Sequence, residues 1–318
     1  LLLMALMAVM AVGLIACGTD KSDNESTKEE KTSVTITSLD SSKNEIELEV
    51  PYNPKRIAIL DLASLDIIDE LGVGDRVVGM ASTSIDYLEK YSNDASIKNL
   101  GTIKEADLEA VMECEPDIIF IGGRLSKSYD ALSEIAPVVY LATDTNEGLV
   151  NSVSKNAKTI ASIFGMEDKV DSLMSDFGAR IDTIKKISSG KTALVGMTTS
   201  GSFNLLGNDG RCSLIGVEAG FNNLTAAGST STHGNESSFE TVVQQNPDYI
   251  FVMDRDSAIS TAGAKNAKEI VENELVKTTD AYKNNHIIYL EHSNVWYTAE
   301  GGIQALDIML TDLEKGLK

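Results

Sequence analysis

The sequence predicts an α/β protein of two similar lobes, each a mainly parallel sheet flanked by helices. Three observations predict it. The first is a segment that occurs twice. One copy reads Leu108-Glu109-Ala110-Val111, then Glu115-Pro116-Asp117-Ile118-Ile119-Phe120-Ile121, and closes at Arg124. The other reads Phe239-Glu240-Thr241-Val242, then Asn246-Pro247-Asp248-Tyr249-Ile250-Phe251-Val252, and closes at Arg255. In both, the glutamate precedes the proline by seven residues and the proline precedes the arginine by eight. An amphipathic helix, a proline break and a buried strand thus recur about one domain apart. The second observation is that short apolar runs alternate with helical or loop segments along most of the chain. The third is the Pro-free, helical pattern of residues 151–187, broken only near Gly165. Its later part places Val170, Leu173, Phe177, Ile181 and Ile184 at three- and four-residue steps. A helix of ~20 residues spans ~30 Å, enough to bridge two lobes.

In chain order, residues 1–16 are almost wholly apolar and too short to span a bilayer. They read as the hydrophobic region and cleavage site of a secretory signal without its initiator methionine and basic region. Leu14-Ile15-Ala16-Cys17 resembles a bacterial lipobox, in which Cys17 is lipidated and tethers the chain to the outer face of the cell membrane. Residues 17–32 are too polar to fold and read as that tether. The first lobe spans 33–164. Its apolar runs are Arg56 to Leu60, Val77 to Met80, Ile118 to Ile121 and Val138 to Leu141, with a helix Ser64 to Leu71 stopped by Gly72. The linker helix takes 165–189. The second lobe spans 190–318, with runs at Ala193 to Met197, Phe203 to Leu206, Ile250 to Met253 and Ile287 to Leu290, and a final helix from Ile303 to Leu317.

Composition bounds the function. The 318 residues are 42% hydrophobic and 24% charged, which suits two ordinary globular cores. A net charge of −21 with only six arginines argues against nucleic acid, because phosphate contacts need surplus cations. Beyond Cys17, Cys114 and Cys212 are expected to be free thiols, and no Cys/His cluster indicates zinc. No nucleophile elbow or Walker loop points to an enzyme, and no intrinsic cofactor is expected.

Arg124 and Arg255 fall just past the carboxyl ends of equivalent strands, where open α/β sheets bind ligands. Two lobes that each offer an arginine suggest an anionic ligand between them. Arg211, in the turn Gly207-Asn208-Asp209-Gly210-Arg211, reaches from a loop. Taken alone, His233 in the Gly228 to Gly234 loop is a metal ligand or a surface histidine. Tyr297, after Trp296, is a metal ligand or a core tyrosine, and core packing explains Trp296 equally well. Glu109 and Glu240 are a symmetric pair or two ordinary solvated helix residues. His286 and His292 read as structural or solvated.

Several stretches together carry a family resemblance: Pro54-Lys55-Arg56-Ile57-Ala58-Ile59-Leu60-Asp61, Leu71-Gly72-Val73-Gly74-Asp75-Arg76-Val77-Val78-Gly79, Leu100-Gly101-Thr102 and both repeat copies. The chain resembles the substrate-binding lipoproteins of iron-siderophore ABC transporters, the helical-backbone class of two-lobed binding proteins. Thr232-His233-Gly234 and Trp296-Tyr297 resemble the ferric-catecholate subgroup. The resemblance implies two Rossmann-like lobes joined by one long rigid helix, a ligand cleft between them, and little hinge closure. It implies that Arg124, Arg211 and Arg255 hold the anionic chelate, and that His233 and Tyr297 complete the coordination of its Fe(III). It also implies that Glu109 and Glu240 dock onto the two subunits of an ABC permease dimer, with the protein itself a monomer. Haem, a corrinoid or a hydroxamate chelate in the same fold are the competing ligands, haem nearest because His233 and Tyr297 both suit it. A hydrolase built on His233 and its neighbouring hydroxyls, and a lipoprotein without a small ligand, are the readings outside this class.

Overall fold

A computed structural model describes residues 31–318. The expected signal segment, Cys17 and nearly all of the tether lie outside the described residues. The first described element is an antiparallel hairpin, β1 (Ser33–Leu39) and β2 (Glu45–Pro51). Pattern reading assigned no strand there. Yet Glu45-Ile46-Glu47-Leu48-Glu49-Val50 alternates strictly, a period-two strand signal, although only Ile36, Ser38 and Val50 of the hairpin are buried.

The first sheet is β3 (Ile57–Ile59), β4 (Val77–Met80), β5 (Lys98–Asn99), β6 (Ile118–Ile121) and β7 (Val138–Tyr140). Its order is β5-β4-β3-β6-β7, and every pairing is parallel. Central β3 and β6 are buried along their whole length, which explains their unbroken apolar runs. The second sheet contains β8 (Thr192–Thr199), β9 (Ser202–Leu205), β10 (Asn222–Asn223), β11 (Asn235–Glu236), β12 (Tyr249–Asp254) and β13 (Ile287–Tyr289). Here β10, β12 and β13 join by parallel pairings, whereas β9 returns antiparallel on β8 and β11 on β9. The return is made by Ser200 and Gly201, whose φ values of 51° and 81° suit a two-residue hairpin turn.

The helices that matter for the site are α1 (Leu62–Leu71), α2 (Leu108–Glu113), α3 (Leu149–Phe164), α4 (Glu167–Leu173), α5 (Phe177–Ser188), α6 (Phe239–Gln245), α7 (Arg255–Ala258), α8 (Ser293–Thr298) and α9 (Ile303–Gly316). The expected bridge is helical, with one turn the pattern did not show. Between α4 and α5, Ser175 Oγ donates to Ser172 O at 2.9 Å, local competition that interrupts the regular ladder. Met174 and Asp176 keep right-handed helical dihedrals, so the chain continues in the same sense.

The two lobes share one core. A continuous apolar cluster runs from Ile57 and Ile59 through Leu65, Ile160, Ile181 and Leu310 to Val195 and Phe251. Separate clusters cover the outer faces of the two sheets. Helix α9 follows the second sheet in sequence yet packs on α1 of the first lobe. Its N-terminus, at Gly302, has no side-chain cap of its own. Asp66 of α1 supplies one, accepting from Gln304 N and Ala305 N at 2.9 Å each and from Tyr87 Oη at 2.6 Å. A Cβ at residue 302 would overlap this carboxylate, so the helix start needs glycine.

Asp66 is 0% exposed. Burial pushes its carboxyl up to about 6 from 3.8, although the Tyr87 and backbone hydrogen bonds oppose the rise. Well below pH 3.8 the group is protonated folded or unfolded, and above pH 6 the folded state carries a buried charge. The contribution of Asp66 to stability therefore falls as pH rises through that window, by on the order of 3 kcal/mol. Denaturant titrations at pH 4 and pH 7 of the natural chain and Asp66→Asn should show this loss only with aspartate. A pH-independent difference between the two proteins would count against it.

Candidate functional site

The repeated Pro-Asp pair has the same mechanical role in both lobes. Asp117 Oδ2 accepts from Lys55 N and Arg56 N at the entry to β3. Asp248 Oδ2 accepts from Thr192 N and Thr192 Oγ1 at the entry to β8. Each repeat thereby locks its own strand to the neighbouring central strand, and each strand then delivers an arginine at the carboxyl end of its own sheet. After β6 the chain enters a 3₁₀ turn, Gly123–Ser128, that carries Arg124. After β12, Asp254 caps α7 by accepting from Ser257 N, which puts Arg255 at the first helical position.

All three expected arginines meet on one residue. Arg124 Nη2 donates to Tyr297 O at 2.9 Å, and Arg211 Nε lies 3.5 Å from the same oxygen. Arg255 Nε donates to the Tyr297 phenol oxygen at 3.2 Å. The guanidinium carbons stand 5.4, 4.4 and 5.7 Å from the ring centroid for Arg124, Arg211 and Arg255, within cation–π range. Tyr297 is only 3% exposed. It lies in the short helix α8 rather than in the loop that the polar sequence before it suggests. Burial alone would raise its phenol. The Arg255 hydrogen bond and the charges of Arg211, Arg255 and Arg124 outweigh that and hold it below the ordinary value of 10.

His233 is exposed in its glycine- and serine-rich loop. The loop is tied down at its backbone, with Asn204 Nδ2 donating to His233 O at 2.9 Å and Arg211 Nη1 donating to Thr232 O at 2.7 Å. Partial desolvation, then Arg255 and Arg211, hold its imidazole below the usual histidine value, which favours the neutral, metal-ligating form. The other two histidines sit elsewhere: His286 stacks on Tyr249 at 4.2 Å, and His292 bonds Asp312.

Two cavities open at this point. One of about 190 Å³ is lined by Asp61, Arg124, Arg211, Tyr297 and Glu300 among others. The second, of about 470 Å³, shares Thr143, Arg211 and Glu300 with it and continues past Asp144, Asp209 and Thr232. Arg255 and His233 line neither. Asp61 and Glu300 are acidic members that sequence reasoning missed. Burial raises both carboxyls, against the pull of Arg124 on Asp61 and of Arg211 and Arg124 on Glu300. Asp61 had a readable signal, since it ends a buried run and caps α1 through Ser64 N. Glu300 had none.

Glu109 and Glu240 each occupy the second position of their helices, behind the caps Asp107 and Ser238, and both are exposed. Cys114 and Cys212 are buried and free.

Comparison with known proteins follows the same outline. The family model for periplasmic binding proteins matches residues 57–293. The petrobactin-binding protein YclQ of Bacillus subtilis is 36% identical over 99% of this chain and 98% of its own length. Its crystal structure superposes with a TM-score of 0.82, covering 90% of this chain and 99% of that one. The periplasmic catecholate-siderophore binding protein VctP of Vibrio cholerae is 31% identical, with a TM-score of 0.80 over 89% of this chain and all (100%) of its own. The chain belongs to the periplasmic binding protein family. Its relatives are binding proteins rather than enzymes.

The phenol inside three guanidiniums can be tested directly. Ultraviolet difference titration of the natural chain against Tyr297→Phe should reveal one phenol ionising below pH 10. Arg255→Met should move that ionisation upward by roughly one unit or more, as expected for a lost charge-assisted hydrogen bond. No component below pH 10 would contradict the geometry.

Proposed function

We propose that this periplasmic binding protein captures an anionic ferric siderophore, of the catecholate type, in the cleft between its lobes and delivers it to an ABC importer for iron uptake. The observation that carries this is the meeting of Arg124, Arg211 and Arg255 on Tyr297. A ferric catecholate complex is multiply anionic, and guanidinium forks suit several oxygens at once while remaining charged. A ligand with two catechols gives Fe(III) four oxygens and leaves two octahedral positions. Neutral His233 and the phenolate of Tyr297 are the groups we assign to them. A phenol already held low by three cations loses its proton at smaller cost when iron arrives. The ligands named for the two relatives support this reading.

Trp296 is the only tryptophan, fully buried beside Tyr297, and so provides an internal probe. Its fluorescence should quench at submicromolar concentrations of ferric bis- and tris-catecholates. Tyr297→Phe, His233→Ala and each arginine-to-alanine change should weaken the bis-catecholate about tenfold or more, as expected for charge-assisted contacts. Saturation by haem or a ferric hydroxamate instead would keep the importer role and sink the catecholate assignment.

Delivery is assigned to Glu109 and Glu240, with a lipid on Cys17 keeping the protein at the outer face of the membrane. Two acidic residues at the same register of two lobes suit a partner with two equivalent basic subunits. Reversing both to lysine should leave chelate affinity within about twofold, since neither lines the cleft cavities. The same change should abolish stimulation of the importer's ATPase in reconstituted membranes. Full stimulation by the reversed variant would remove them from docking.

A further inference from the structure

All three arginines converge on Tyr297, yet the helix that carries it, α8, has six residues and no side-chain cap. Helices this short do not persist by themselves. Its position comes from α9. Asp312 Oδ2 accepts from His292 N at 3.0 Å and from Trp296 Nε1 at 2.9 Å, and Asp312 Oδ1 pairs with His292 Nδ1 at 2.7 Å. One carboxylate thus holds both the entry residue of α8 and the residue one turn later, next to Tyr297.

The setting makes this more than incidental packing. Asp312 is 3% exposed and Trp296 0%. A buried carboxylate is costly unless donors surround it, and here three do, all from the segment that leads into Tyr297. Glu291, His292 and Asp312 also lie within 4.8 Å of one another, as a metal site would require. Both Asp312 oxygens are already engaged, however, and Glu291 pairs with Lys315 at 2.8 Å. The cluster is a clamp, and it lines neither cleft cavity.

We propose that Asp312 is a positioning residue for ligand binding, fixing Tyr297 among the arginines through His292 and Trp296. Its effect on affinity rests on the proposed role of Tyr297 in holding a ferric chelate. The chemistry distinguishes two variants. Asp312→Asn can keep every bond: its oxygen accepts from His292 N and Trp296 Nε1, and its amide donates to His292 Nδ1 when the ring proton is on Nε2. Asp312→Ala leaves three donors facing a void.

Two measurements on the mature chain test it. In ligand-free protein, hydrogen exchange of amides 292–300 should accelerate about tenfold or more in Asp312→Ala, as for a locally opened segment. It should stay near the natural rate in Asp312→Asn, while β3, β6, β8 and β12 remain protected in both. Unchanged exchange at 292–300 in Asp312→Ala overturns the proposal whatever the ligand proves to be. Calorimetric titration with a ferric bis-catecholate then completes a cycle with Tyr297→Phe. Asp312→Ala should cost about tenfold alone and almost nothing further on Tyr297→Phe, because residues acting through one group are non-additive. Fully additive losses would also overturn it. If exchange responds as expected but the natural chain does not bind the bis-catecholate, the positioning role is supported and the catecholate reading falls. Should Asp312→Ala fail to fold, Trp296→Phe removes a single donor, and its smaller acceleration at 292–300 is the expected result.

Discussion

The carboxylate of Asp66 beneath the first turn of α9 is the constraint on which the cleft depends. Asp66 belongs to the first lobe, and α9 is the last element of the second. The chain therefore crosses between the lobes twice, once through α4 and α5 and once through α9. Both crossings are embedded in the same apolar core. Moving one sheet relative to the other would expose part of that core and pull two backbone amides off a buried charge. At roughly 25 cal/mol per Å² of apolar area, even a modest opening costs several kcal/mol. This packing opposes hinge motion, in line with the little closure that the resemblance implies, and ties the walls of the cleft to one another.

Within those fixed walls, the local charge inverts the global one. The protein carries −21, yet three of its six arginines stand around one phenol. Such clustering is self-repulsive, and it is moderated by what lies beside it. Asp256 accepts from Arg255 at 3.2 Å, and Asp61 and Glu300 attract Arg124. On the proposed reading, a small anion answers one guanidinium but not three at once, whereas a rigid multiply charged chelate would answer all of them. Low-dielectric walls then concentrate the positive potential at the mouth.

Much of this was legible in the sequence because repetition encodes geometry. The shared spacing from glutamate through Pro-Asp to arginine specified two strands, two exposed helix starts and two cations, and the structure places each at equivalent positions. The Gly72 stop, with φ of 77°, and the buried strands β3, β6 and β12 follow from local signals of the same kind. What escaped was whatever depends on partners distant in sequence. Asp66 reads as a polar residue in a helix, and only its approach to residues 304 and 305 makes it a cap. The hairpin of β1 and β2 is the exception, since the strict alternation from Glu45 to Val50 is a local signal of a strand. Tyr297 reads as following a turn, because a helix of six residues has no periodicity to detect. Glu300 is one acid among many until Arg211 and Arg124 are beside it.

The arginine contacts themselves have a further consequence. The carbonyl of Tyr297 receives Arg124 from one lobe and Arg211 from the other, so the arginines are anchored by bonds that involve no ligand at all. A guanidinium has five N–H donors, and Arg124 makes one hydrogen bond among those described while Arg211 makes two. Anchoring therefore restrains each side chain without exhausting it. The conformational entropy of a free arginine, about 2 kcal/mol, is largely lost on folding rather than on binding. A lysine ammonium, with three donors on one rotatable atom, would hold its direction less firmly than this planar five-donor fork. The same carbonyl that orders Arg124 and Arg211 also fixes where they point, so on the proposed reading a ligand would meet a charge pattern set by α8.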